Sequence, residues 1–338
     1  MLYRSKTLKL AAAALALLGL FAPASAFDDK NGEKKTHEGT PVLWRAPDDI
    51  ISRDLYLGPG GEAMRPDLRR VTFLKEETGG YSKKFRVRDA SGREWVAKLG
   101  KEAQSETAAV RLVWAVGYMT EINYLAPCVR IEGAPPPRGK DVEACEGGGF
   151  ANVRFEARPE GVKRLDEWKW SDNPFVDTKE LKGLVVMMAL VNNWDIKDSN
   201  NKILYAPNAA GGRGELRYIV SDLGATFGRV KWNAPVLWRI RRNRNDAEDY
   251  AKDEFLEDVK RGQVYLFYKG KRQDLFDDIR VEEARWIGSL LSKLSGRQIA
   301  DAFRAANYTP EEIRTLTDSV RARIADLTSI PESAASAR

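Results

Sequence analysis

The chain of 338 residues has one histidine, His37, and two cysteines, Cys128 and Cys145. A Ser-His-Asp or Cys-His nucleophile, or a histidine-rich metal centre, would have to rest on that single imidazole, which sits in a polar stretch near the N-terminus. Those three classes are set aside. Long apolar runs are scarce as well. The run from Leu10 to Phe21 is too short for an ordinary spanning helix. Cations at Arg4, Lys6 and Lys9 precede it and Ala24-Ser25-Ala26 follows it, the pattern of a secretory signal cleaved near Ala26, with an uncleaved anchor as the alternative. Removing residues 1–26 takes three cations and no acids, leaving 52 Lys and Arg against 49 Asp and Glu. So near a balance gives no strong pull on nucleic acid, and no zinc or nucleic-acid module is visible. Neither a nucleic-acid partner nor a stable membrane span after cleavage is expected. No internal repeat is visible.

Export makes a disulfide between Cys128 and Cys145 the expectation, closing a loop that contains Pro135-Pro136-Pro137; two separately buried thiols are the alternative. Residues 27–40 are rich in Asp, Lys, Asn, Gly and Glu and read as a disordered leader, and 331–338 as a disordered tail. Between them, Val71–Lys75, Lys84–Arg88 and Glu94–Leu99 alternate as three antiparallel strands separated by turns at Gly79-Gly80 and Ser91-Gly92. Ser105 is a reasonable N-cap for a helix to about Tyr118, with Glu106 in its first turn. Further strands are expected at Leu125–Ile131 and around Phe150–Phe155. Arg158-Pro159-Glu160-Gly161 reads as a hinge, dividing 41–158 from 159–330.

Beyond the hinge, Leu165–Trp170 reads as a short helix. Thr178–Val191 is apolar nearly all round, the mark of a buried helix. It leads into Asn192-Asn193-Trp194-Asp195-Ile196-Lys197-Asp198-Ser199-Asn200-Asn201. Two short strands, Ile203–Tyr205 and Leu216–Val220, then lead to Ser221-Asp222-Leu223-Gly224. Two carboxylates, an ammonium and an amide on loops after a buried helix are the inventory of a phosphoryl-transfer site. Arg239, Arg241, Arg242 and Arg244 suggest an anionic acceptor or, equally, a solvated helix face. Helices at 284–294, 295–306 and 310–327 complete the chain as scaffold.

Asp195-Ile196-Lys197-Asp198-Ser199-Asn200 resembles the Asp-x-Lys-x-x-Asn catalytic loop of the protein-kinase-like superfamily, and Asp222-Leu223-Gly224 its Asp-Phe-Gly metal motif. The compact atypical members, lipid-kinase-like, HipA-like and secretory-pathway kinase-like, are the most similar. The resemblance implies an α+β, two-lobed protein-kinase-like fold with an antiparallel-sheet N-lobe and a mainly helical C-lobe. It implies an exported enzyme that moves a phosphoryl group from ATP, with Mg²⁺ or Mn²⁺, to an unidentified protein, lipid or small-molecule acceptor.

In that reading Asp195 and Lys197 are catalytic, and Asn200 and Asp222 hold the metal. Lys98, Glu106, Gly79 and Gly80 bind the nucleotide, with Glu102 and Glu121 as rival partners for Lys98. The glycine loop lacks Gly-x-Gly-x-x-Gly, and Ala97 stands immediately before the lysine. A nucleotide-binding pseudokinase or interaction scaffold on the same fold is the alternative. A metal-dependent phosphohydrolase built on Asp195, Asp198 and Asp222 is the third.

Overall fold

The computed structural model describes residues 38–79, 82–139, 141–208, 210–232 and 240–336. The expected signal, most of the expected leader, and Gly80 lie outside them. The described elements are β1 (Gly39–Val42), β2 (Val71–Glu77), β3 (Lys84–Arg88), β4 (Glu94–Lys98), α1 (Glu102–Ala115), β5 (Asn123–Val129), β6 (Ile131–Glu132) and β7 (Phe150–Ala157). There follow β8 (Lys163–Arg164), α2 (Lys179–Leu190), β9 (Asn201–Ala206), β10 (Gly214–Val220), β11 (Val230–Trp232), β12 (Ile240–Arg242) and α3 (Ala247–Ala251). The chain ends with β13 (Leu256–Lys260), β14 (Gln263–Leu266), α4 (Val281–Leu291), α5 (Gly296–Arg304) and α6 (Pro310–Ser329). The α+β architecture expected from the sequence is the one observed, a sheet-rich lobe followed by a mainly helical one. Among the described residues no helix is long and apolar enough to cross a membrane.

Six strands form the first sheet in the order β5-β7-β4-β3-β2-β6. Period-two alternation gives it two different faces. Phe85, Val87, Trp95, Ala97, Val153 and Phe155 are buried together on one. The other faces a cleft, and register puts Arg86 and Glu156 beside Val96, and Lys84 and Arg154 beside Lys98. At the sheet's far edge Cys128 and Cys145 form the expected disulfide, with Cα atoms 5.8 Å apart.

The larger core joins α1, α2 and the C-terminal helices. Helix α2 is buried nearly all round, as its composition requires, and starts where the Thr178 hydroxyl caps the Leu181 N–H. Ser295 and Thr309 cap α5 and α6 with reciprocal capping boxes. Strands β9 and β10 pair antiparallel, with β1 parallel on the outer side of β10.

Several expectations need correction. Ser105 does not cap α1, which starts at Glu102, where Lys98, Arg244 and the Ser82 hydroxyl hold the Glu102 carboxylate; Ser105 instead donates to the Gly224 carbonyl at 2.8 Å. Leu165–Trp170 is not a helix. Leu165 N–H bonds the Ile203 carbonyl and Trp168 Nε1 the Ile219 carbonyl, so β9 and β10 claim the segment. The leader gives way to structure at Gly39, where the backbone adds to β10, and Glu332–Ser336 forms a 3₁₀ turn inside the expected tail. Ile240–Arg242 is a strand paired with β11 where a helix face was the alternative reading. The β13–β14 hairpin was not anticipated.

Candidate functional site

A cleft of about 640 Å³ lies under the ionic face of the sheet. Of the residues singled out from the sequence, Gly79, Lys98, Glu106, Asp195, Lys197, Asn200 and Asp222 all line it. Five elements deliver them, Gly79 following β2. Lys98 ends β4, Glu106 stands on α1, Asp195–Asn200 is the loop after α2, and Asp222 follows β10.

Lys98 is 2% exposed. Its ammonium lies 2.8 Å from Glu106, 3.0 Å from Glu102 and 3.3 Å from Asp222. Thus two of the rival glutamates bind it together, while Glu121 reaches Arg154 and Arg164 instead. Burial alone would lower the Lys98 pKa, but Glu106, Asp222 and Glu102 outweigh it and hold the group above its ordinary value. Burial raises Glu106 to about 7 against the pull of Arg154 and Lys98. For Asp222 burial also acts upward, yet Lys98 and the Gly224 N–H hold the carboxyl at about 2.

Close approach of α1 to the Asp222 turn explains Gly224, where a Cβ would stand 2.7 Å from the Cβ of Glu102. The Asp195 loop is bound to the Asp222 segment by the Ser221 N–H, which donates to the Asn200 carbonyl at 2.7 Å. Asn200 Nδ2 in turn donates to the Asp195 carbonyl at 2.9 Å. The Asp195 carboxylate sits between Lys197, at 3.0 Å, and Lys271, at 2.5 Å.

Lys271 is one of the residues that sequence reasoning missed. It arrives because Tyr268 donates to the Asn193 carbonyl, and because a Cβ at Gly270 would fall 2.6 Å from Trp194 Cα. Arg154, Glu156 and Arg164 were missed too, although the charged alternation Arg154, Glu156, Arg158 along a strand flanked by apolar residues was a readable signal. Of the four arginines, Arg239 lies outside the described residues, while Arg244 reaches the cleft, pairs with Glu102 and covers the Trp194 ring at 4.9 Å.

Asp198 lies outside the cleft lining, bound by Arg272 at 3.0 Å and by the Trp170 N–H. Among the described residues no three His, Cys, Asp or Glu side chains are gathered to hold a metal. That removes support from the two-metal hydrolase. A single hard cation has a smaller requirement, since Mg²⁺ is commonly held by one or two protein oxygens together with phosphate and water. Asn200, whose amide nitrogen is already engaged, has its Oδ1 for that task, and Asp222 has the oxygen not facing Lys98. The donor set fits.

No family model and no curated protein matches the chain. Among solved structures it is similar to a Helicobacter pylori proinflammatory kinase, CtkA, at 12% identity and a TM-score of 0.43, over 76% of this chain and 95% of that one. That likeness is a loose one, and the chemistry has to be read from the cleft's own side chains.

Proposed function

We propose that the cleft is a phosphoryl-transfer centre of the atypical kinase kind, which passes a phosphoryl group from a polyphosphate donor of the ATP type to an acceptor hydroxyl. The observation that carries this reading is the convergence of Lys98, Asp195, Lys197, Asn200 and Asp222 on one cleft from three separate elements. Lys98, steadied by Glu106 and Glu102, binds the phosphates that are not transferred. Asn200 and Asp222 would hold Mg²⁺ or Mn²⁺, which would supply charge neutralisation for the bound donor.

Asp195 accepts the acceptor's hydroxyl proton as its oxygen attacks the terminal phosphorus. The bond from that phosphorus to the donor's bridging oxygen breaks, and the shortened phosphate leaves with the bond electrons. Lys197 and Lys271 neutralise charge on the group in transit. Export through the N-terminal signal belongs to the same proposal, and the Cys128–Cys145 disulfide suits an oxidising compartment. The acceptor can be a protein, lipid or small molecule.

The test is incubation of the purified protein with Mg²⁺, γ-labelled ATP and an extract of its own compartment. Labelling that vanishes with Asp222→Ala and Asp195→Asn, both still folded by circular dichroism, supports the reading. Labelling indifferent to both substitutions overturns it. Metal-dependent binding without any turnover would favour a nucleotide-binding pseudokinase on the same fold.

A further inference from the structure

The phosphate end of this cleft and its inner end differ in chemistry. A purine is held by apolar surfaces above and below its ring and by backbone groups at its edge. Among the described residues the cleft's apolar lining consists of Val96 and Trp194, and the Trp194 ring is covered by Arg244 at 4.9 Å and Arg242 at 5.7 Å. Val96 is flanked in register by Arg86 on β3 and Glu156 on β7. Five lysines and five arginines line the cleft against four glutamates and two aspartates.

The register explains the difference. Strand alternation that buries Phe85, Ala97 and Phe155 on one face must send Arg86, Val96, Arg154 and Glu156 to the other. Glu156 pairs with Arg154 at 2.7 Å and Arg164 at 3.2 Å, and also with Arg158. Its pKa would rise by burial, but these three guanidiniums hold it well below the usual carboxylate range. The wall is therefore ionised. Arg158 and Arg164 still have 28% and 32% of their side chains exposed, and Lys84 has no ion-pair partner among the described residues.

A neutral base laid against this wall would strip water from charged groups and return nothing. A phosphate would gain charge-assisted, two-pronged hydrogen bonds from guanidiniums already fixed by their glutamates. We propose that the inner end of the cleft receives an anionic phosphate group in place of a purine, so that the ligand is a polyphosphorylated compound without a base. This rests on the phosphoryl-transfer reading for the end that enters at Lys98 and Asp222. ATP, in this account, binds through its triphosphate alone.

The experiment is calorimetric titration of the full purified protein, with Mg²⁺, by inorganic tripolyphosphate, ATP and adenosine in turn. Tripolyphosphate is expected to bind within about threefold of ATP, and adenosine not at all. Arg158→Ala and Arg86→Ala, both at partly exposed positions and checked for an unchanged melting temperature, should each weaken tripolyphosphate about tenfold. Adenosine binding, ATP tighter than tripolyphosphate by about tenfold or more, or arginine variants without effect overturn the inference and leave the transfer centre intact. Tight tripolyphosphate binding that ignores both Mg²⁺ and Asp222→Asn does the reverse: it supports the anionic inner end and overturns the transfer centre. No binding by any of the three overturns both.

Discussion

The two faces of the six-stranded sheet are built from the same strands, one residue out of step. On one, Phe73, Phe85 and Phe150 meet edge to face at 5.1 and 5.7 Å, and Trp95 packs on Phe155 and Tyr124. On the other, Lys98, Arg154, Glu106, Glu121 and Glu156 are each nearly or wholly buried and held by one another. The first face stabilises by area removed from water. The second costs desolvation that its ion pairs offset only in good geometry, and Arg154 Nε, Glu106 Oε1 and Glu121 Oε2 find no hydrogen bond there among the described residues. A fold that needed only stability would fill both faces with apolar side chains. Under the proposed function, the ionic face is explained by what the cleft binds.

The sharpest way to break the contrast is on β7, where adjacent residues face opposite ways. Phe155→Ala opens a cavity and should cost roughly 3–5 kcal/mol. Arg154→Leu strands three glutamates and should cost roughly the same, 3–5 kcal/mol. Urea unfolding reads both. The faces separate in the second readout: Phe155→Ala, where still folded, keeps its affinity for tripolyphosphate, while Arg154→Leu loses it. Equal binding by the two variants would erase the division of labour.

Smaller effects sharpen it. Reducing the Cys128–Cys145 bridge, which closes a loop with a sequence separation of 17, should lower stability by about 3 kcal/mol in the chain-entropy model. Because the bridge sits at the sheet's edge, ligand affinity should survive reduction, as titration in reducing buffer checks. Removing the Thr178 hydroxyl as Thr178→Ala should cost about 1 kcal/mol, read as a shift in the urea midpoint, since one N-terminal donor of α2 loses its acceptor. Least of all is a pH effect. The Asp222 carboxyl goes from an ordinary 3.8 to about 2 in the folded protein. Its contribution is therefore complete above 3.8 and lost as pH falls towards 2. With 41% of the side chain exposed the effect is screened. Asp222→Asn should flatten the acid limb of a stability-against-pH curve slightly, and an unchanged slope would mean that Lys98 does not depress this group.

How much of this was legible in the chain depended on how local the cause was. Strands β2 to β4 are written in period-two alternation and turn residues, and α2, α5 and α6 in caps and apolar stripes. The loops carrying Asp195 and Asp222 stood out because their polar groups follow apolar runs. What escaped was set by distant partners. Glu106 was expected to hold Lys98; that Glu102 joins it instead of competing with it depends on how closely α1 approaches Gly224. The segment 165–170 has a helix-tolerant composition, yet its donors are taken by β9 and β10. Arg154 was hidden because a buried arginine reads as an exposed strand residue until its glutamates are known, and those lie on α1, β7 and the approach to β5.

Strand β1 has a consequence for anyone handling this protein. Gly39–Val42 lies parallel to Gly214–Arg217, on the strand that runs on into Ser221 and Asp222. A proteolytic nick or a trimmed version beginning after Val42 would strip that splint and leave an edge of β10 bare, loosening a carboxylate about 180 residues downstream. Loss of activity on such shortening would look like a missing catalytic group, when what had gone was a brace.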